Sequence, residues 1–224
     1  MILSAKNLTK SFSSSEGKFY VFKNLSINID KSDLITIMGP SGSGKSTLLN
    51  ILGTLDTFDD GSIVFDQKNI SDLNKDQISK IRNKHIGFVF QYHHLIPEFN
   101  AIENVLIPQQ IFSKKINENY AKELLDYLGL SHRIKHYPAQ LSGGEKSRVA
   151  IARSLINKPA LIFADEPTGN LDIDNAKNLV RLLKKINNDF EQSFVIATHD
   201  PQIASVGKIK YFLNEGILST SDHV

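Results

Sequence analysis

Residues 39–47 read GPSGSGKST, directly after the apolar run LITIM. Gly39, Pro40, Ser41, Gly42, Ser43, Gly44, Lys45, Ser46 and Thr47 meet the spacing G-x-x-x-x-G-K-[ST], and helix-like STLLNILG follows. A strand, this loop and a helix together form a phosphate cradle. Glycines allow successive backbone N–H groups to turn inward around an anion, and the new helix adds its positive end. In such a loop Lys45 reaches the β- and γ-phosphates of a nucleoside triphosphate, and the Ser46 hydroxyl ligates Mg²⁺. The competing reading is an ordinary glycine turn before a helix.

A cradle of this kind needs a carboxylate. Asp165 ends the apolar run ALIFA, where it can hold Mg²⁺ directly or through water, and Glu166 follows at once, positioned to polarise an attacking water. Pro167 limits the backbone of Glu166 and helps fix its direction. Two further polar residues stand at strand ends: Gln91 after IGFVF and His199 after SFVIAT. Ligands in parallel α/β sheets lie beyond the carboxyl ends of strands. Gln91 is therefore a candidate for contact with Mg²⁺ or the attacking water, and His199 for a hydrogen bond to the γ-phosphate. Each alone reads equally well as a local cap; together they mark one site.

The elements that position these groups follow from hydrophobic periodicity. Leu25, Ile27 and Ile29 alternate with polar residues, as in a half-buried strand. Residues 34–39, 61–66 and 86–90 are further strands, and residues 160–165 and 193–198 have the wholly apolar character of buried parallel strands. Residues 208–218 suggest a terminal hairpin. Apolar stripes at Tyr120, Leu124, Leu125 and Leu128, and at Leu179, Leu182, Leu183 and Ile186, mark helices. The alternation predicts an α/β fold with a mostly parallel sheet. The stretch 92–155 contains no convincing strand and reads as a helical subdomain inserted in a nucleotide-binding core of residues 1–91 and 156–224.

Within that insertion, LSGGEKSRVAIAR spans residues 141–153. Glycine costs about 1 kcal/mol against alanine inside a helix, so Gly143 and Gly144 belong at its start or where something approaches the backbone. Ser142 is an N-cap candidate, with Glu145 three residues on as in a capping box. Composition excludes other classes. With 26 Lys and Arg against 24 Asp and Glu, the net charge of +2 gives no strong pull toward nucleic acid. The absence of cysteine excludes a disulfide framework and a thiolate metal site. No signal peptide or run long enough to span a membrane is expected.

The ordered set resembles the ATP-binding-cassette ATPases over essentially the full length. GPSGSGKST is similar to the Walker A loop, LIFADE to Walker B with its catalytic glutamate, Gln91 to the Q-loop glutamine, LSGGEKSR to the family signature, Asp172 in GNLD to the D-loop residue and His199 to the switch histidine. The resemblance implies a P-loop NTPase core with an antiparallel β subdomain and an inserted helical subdomain, ATP and Mg²⁺ as ligands, and hydrolysis coupled to transport. It further implies a head-to-tail homodimer in which Ser142, Gly143 and Gly144 cap the γ-phosphate held by the other copy. Two integral membrane transporter subunits, and no direct nucleic acid, complete the expected partners. Within the family, the segment QYHHLIPEFNAIENVLIP (residues 91–108) and ADEPTGNLD are most similar to the ATPases of bacterial lipoprotein-releasing systems. These act at the cytoplasmic face of the inner membrane. Cell-division and macrolide-exporter ATPases share EPTGNLD and are the alternative.

Some positions depart from the family pattern. Glu145 and Lys146 stand where Gln and Arg are frequent, and residues 31–33 (KSD) lack the glycine often found before the first core strand. The aromatic residue that stacks on adenine is expected to be Phe12, with Phe19 and Tyr20 as rivals. Residues 92–108, including Leu95, Ile96, Glu98 and Phe99, are expected to form the rim that receives a membrane subunit, with Glu98 pairing a basic group.

Overall fold

The apolar runs around the phosphate loop become the middle of a parallel sheet. In the computed structural model, residues 1–15, 17–112 and 116–220 are described. In chain order the elements are β1 (Leu3–Ser14), β2 (Gly17–Ile29), β3 (Leu34–Met38), α1 (Lys45–Leu52), β4 (Asp60–Phe65), β5 (Lys68–Asn69), α2 (Lys75–His85) and β6 (Ile86–Phe90). There follow α3 (Ala101–Phe112), α4 (Glu118–Tyr127), α5 (Gly143–Leu155), β7 (Leu161–Asp165), α6 (Ile173–Phe190), β8 (Ser193–Thr198), α7 (Pro201–Ala204), β9 (Ile209–Asn214) and β10 (Ile217–Thr220).

The six-stranded sheet has the order β10-β9-β3-β8-β7-β6. All its neighbours are parallel except the terminal hairpin β9–β10. Its centre is apolar on both faces, which explains the absence of alternation in the sequence. Leu34, Ile162, Ala164, Phe194 and Ile196 face one core with the helices α3 to α6. Ile35, Ile37, Leu161, Phe163, Val195 and Ala197 face the other, with α1 and the second sheet. Burying a Leu, Ile or Phe side chain stabilises by about 1.5–3 kcal/mol, so the two-sided core dominates the energetics. The second sheet is antiparallel, with order β2-β1-β4-β5.

Among the described residues, no strand occurs between β6 and β7, and no helix is long and apolar enough to cross a membrane. α5 packs on α3 and β6, connecting the helical insertion to the sheet. The turn at residues 31–33 lacks glycine and places Ser32 at φ 61°. Hydrogen bonds offset that conformation: Ser32 N–H donates to Ser193 Oγ (2.9 Å), and Asn187 Nδ2 donates to Ser32 O (3.0 Å).

Candidate nucleotide site

β3 ends at Met38 and α1 begins at Lys45, so the loop between them lies at the carboxyl edge of the parallel sheet. Gly42 (φ 79°) and Gly44 (φ 98°) take left-handed backbone that other residues adopt at a cost. Gly39 is required by space, since a Cβ there would come within 2.2 Å of Leu213 O in β9. The buried Lys45 donates from Nζ to Gly39 O (2.8 Å) and Pro40 O (2.9 Å), which holds the cation inside the loop. Ser41, Gly42, Gly44, Lys45, Ser46 and Thr47 line a cleft of about 470 Å³. Gln91, Glu166 and His199 line the same cleft, so three strand ends converge on the loop. Gly39, Pro40 and Ser43 shape the loop from behind; Ser43 Oγ is buried without a protein partner.

The metal-binding chemistry lies next to this cleft. The Ser46 hydroxyl is close enough to the Asp165 carboxylate to oppose the upward shift of its pKa. Asp165 Oδ1 is buried without any protein partner, and burial raises its pKa above the ordinary carboxylate value, with Glu166 adding to the effect and Ser46 and Lys45 opposing it. An orphaned carboxylate oxygen beside a serine hydroxyl fits a small hard cation. Among the described residues no cluster of three or more His, Asp or Glu could hold a metal. One hydroxyl, one carboxylate and phosphate oxygens are the set with which Mg²⁺ sits on a nucleotide.

Glu166 takes left-handed backbone just before Pro167. Its φ is 44°, a conformation that costs roughly 1–3 kcal/mol in a non-glycine residue and concentrates at functional sites. It is held by Glu166 N–H to Ala197 O (2.9 Å) and Gly169 N–H to Glu166 O (3.0 Å). Its carboxylate Oε1 lies 2.8 Å from His199 Nδ1, so the histidine's partner here is Glu166. Gln91 is held by its backbone carbonyl, which accepts from Asn170 Nδ2 (2.9 Å). Its side chain packs where a Cβ on Gly169 would lie 2.7 Å from Nε2.

Three groups lie elsewhere. Ser142, Gly143 and Gly144 start α5 and do not line this cleft. The capping box is present: Ser142 Oγ accepts from Glu145 N–H (3.2 Å) and Glu145 Oε2 accepts from Ser142 N–H (2.8 Å). Arg133 Nε donates to the other oxygen, Oε1, at 2.8 Å. The Ser142 N–H bond, then burial opposing it, then Arg133 set the Glu145 carboxyl below its ordinary value. Gly143 is exposed, but Gly144 is buried, and a Cβ there would lie 2.8 Å from Asn175 Oδ1. The second glycine thus makes room for α6; only the first presents open backbone. Asp172 likewise has a structural task. It N-caps α6, accepting from Asn175 N (2.9 Å) and Asn175 Nδ2 (2.7 Å).

The aromatic wall contains a residue given second place by the sequence. Phe12 and Phe19 pair directly across the β1–β2 hairpin and both line the cleft; Tyr20 does not, and carries Lys18 and Lys23 over its ring. Phe12 has Lys10 Nζ 5.0 Å from its ring centre. In residues 92–108, Leu95 packs on the helical core while Tyr92, Ile96 and Phe99 are exposed. Glu98 lies outside the neighbouring groove of about 490 Å³ between α2, β6 and α3, which is lined by Arg82, Phe90, His94, Ile107, Pro108, Ile111 and others.

The family model described as ABC transporter matches residues 22–169, about two-thirds of the chain. The chain belongs to the ABC transporter ATPase family. It is an ATP-hydrolysing cassette of that family, with its P-loop core, antiparallel sheet and helical insertion. The cassette is 46% identical to the lipoprotein-releasing system ATP-binding protein LolD of Cytophaga hutchinsonii, over 97% of this chain and 98% of the relative. It is 49% identical to LolD of Bacteroides fragilis, over 90% and 92%. A solved structure of MJ0796, described as a dimeric bacterial ABC transporter cassette, superposes with a TM-score of 0.88 and 39% identity, covering 98% of both chains. A second structure of that cassette, in a post-hydrolysis state with ADP and Pi, superposes equally well.

Proposed function

We propose that this cassette is the ATPase of a lipoprotein-releasing transporter, seated on two integral membrane subunits at the cytoplasmic face of the bacterial inner membrane. The observation that carries the catalytic reading is the meeting of Lys45, Gln91, Glu166 and His199 in one cleft with the phosphate loop. Similarity to LolD over nearly the whole of both chains supports the cargo class.

In this reading, the N–H groups of residues 41–47 and Lys45 hold the β- and γ-phosphates of ATP. Phe12 and Phe19 stack on the base. Ser46 and Asp165, with Gln91 nearby, would hold Mg²⁺, which would supply positive charge to the phosphate oxygens. Glu166 Oε accepts the proton of the attacking water. His199 orients that carboxylate through Nδ1, and a donation from Nε2 to the γ-phosphate needs both ring nitrogens protonated.

The second half of the site comes from another copy. Ser142 Oγ serves its own helix as an acceptor, so its O–H remains free to donate to a phosphate oxygen. Gly143 adds an open N–H at a helix start. Glu145 would repel that phosphate, and Arg133 neutralises it. The groove beside Gln91 is the seat we assign to a short helix of the membrane subunit.

The test is reconstitution with two membrane subunits in proteoliposomes carrying a lipid-anchored protein. ATP should release the anchored protein to a soluble acceptor, and Glu166→Gln should stop release with the complex intact. A complex that hydrolyses ATP and exports only a small molecule would refute the cargo class.

A further inference from the structure

Two residues after Gln91 the chain turns inward. His93 has φ 60° and is 9% exposed. Its Nε2 lies 2.8 Å from Ser147 Oγ, one turn into α5. Ser147 is fully buried, and its hydroxyl donates to Gly143 O (3.1 Å). A hydroxyl has one proton. That proton is spent on Gly143, so His93 donates from Nε2 to Ser147 Oγ. Burial, then the charges of Lys146, Arg153 and His94, lower the His93 pKa. The backbone of the turn is anchored to the same helix. Arg153 Nη1 donates to His94 O (2.7 Å) and Nη2 to His93 O (2.5 Å).

We infer that His93 is a positioning residue that couples the Gln91 end of one nucleotide site to the signature loop offered to the other. The link is short: a ring, a hydroxyl and the carbonyl of Gly143. Gln91 faces the nucleotide of its own chain, while Gly143 faces that of the second copy. A shift of Gln91 is thus passed to Gly143 through one buried and one part-buried hydrogen bond, and the buried one cannot be exchanged for water without cost. This inference rests on the paired-cassette reading given above.

The experiment uses His93→Phe, which keeps volume without a donor, His93→Gln, which keeps an N–H near Nε2, Ser147→Ala, and the His93→Phe/Ser147→Ala double variant. His93→Phe and Ser147→Ala should each lower kcat about tenfold with the ATP affinity of the single chain within about twofold of the parent, and the double variant should be no worse than either, as for two ends of one interaction. His93→Gln should recover most of kcat. Ser147→Ala carries the test if His93→Phe fails to fold. Undiminished kcat in Ser147→Ala, losses that multiply in the double variant, or His93→Gln as impaired as His93→Phe would overturn the inference. In a Glu166→Gln background, ATP should pair the chains, and His93→Phe should raise the ATP needed by about tenfold. If Glu166→Gln chains never pair, the paired-cassette reading fails and His93 loses its role with it. If they pair and His93→Phe pairs at the same ATP concentration, only the role of His93 is refuted.

Discussion

Asp165→Asn should make the ligand-free protein more stable and the enzyme inactive. Asp165 Oδ1 is a buried acceptor without a protein partner. Such a group costs about 1–3 kcal/mol, more when charged. Lys45 and Ser46 offset part of this, and the amide would retain part, leaving a gain of about 1 kcal/mol, or roughly 2–4 °C in Tm for a chain of this size. The pH dependence has a definite sign. Burial raises the folded-state pKa of Asp165 above the ordinary 3.8. The penalty is therefore absent below that ordinary value, grows as pH rises toward the raised value, and is complete above it. The Tm advantage of the variant should be present at neutral pH and close in acid. Thermal denaturation at both pH values, with and without Mg·ATP, measures all of this. The parent should gain Tm from Mg²⁺ added to ATP, and the variant should gain none. A variant less stable than the parent at neutral pH without ligand would refute the reasoning, because the carboxylate would then be holding the fold together.

Gly143→Ala meets its nearest neighbour at 3.4 Å and should fold normally yet lose ATPase activity, whereas Gly144→Ala meets Asn175 Oδ1 at 2.8 Å and should cost about 1–3 kcal/mol in urea denaturation. Arg133→Leu should cost about 1 kcal/mol at neutral pH, discounted for its partial exposure. The Glu145 carboxyl is depressed below the ordinary 4.5, so the pair stabilises above that value and its contribution fades as pH falls through the depressed value; urea midpoints of parent and variant should converge in acid. Ile111 is 62% exposed beside the groove, so Ile111→Asp should leave Tm and basal ATPase unchanged while abolishing stimulation by the membrane subunits, measured on the purified complex.

The central strands and the phosphate loop were legible because they are short apolar runs ending in polar chemistry. The capping box at Ser142 was legible for the same local reason. β1 was not, because its apolar residues Leu3, Ala5 and Leu8 break period two. The structure explains the break: the register shifts between Ala5 and Leu8, with Asn7 at φ 53°. Phe19 was ranked behind Phe12 because only the hairpin register puts them on one face. The buried face of Gly144 and the left-handed backbone of Glu166 depend on tertiary neighbours, namely Asn175 and Ala197 O. Local sequence carries no signal for those. Within residues 92–108, His94, Ile107 and Pro108 line the groove and Glu98 does not, because only the fold brings α2 and β6 beside them.

The paired, ATP-closed site is tested most directly by light scattering on Glu166→Gln with and without Mg·ATP. ATP should convert the 25.1 kDa chain into a species of twice that mass, and adding Ser142→Arg to the same chain should return it to the monomer. A chain that binds ATP and remains a monomer, or a pair that forms equally well with Ser142→Arg, would contradict the account.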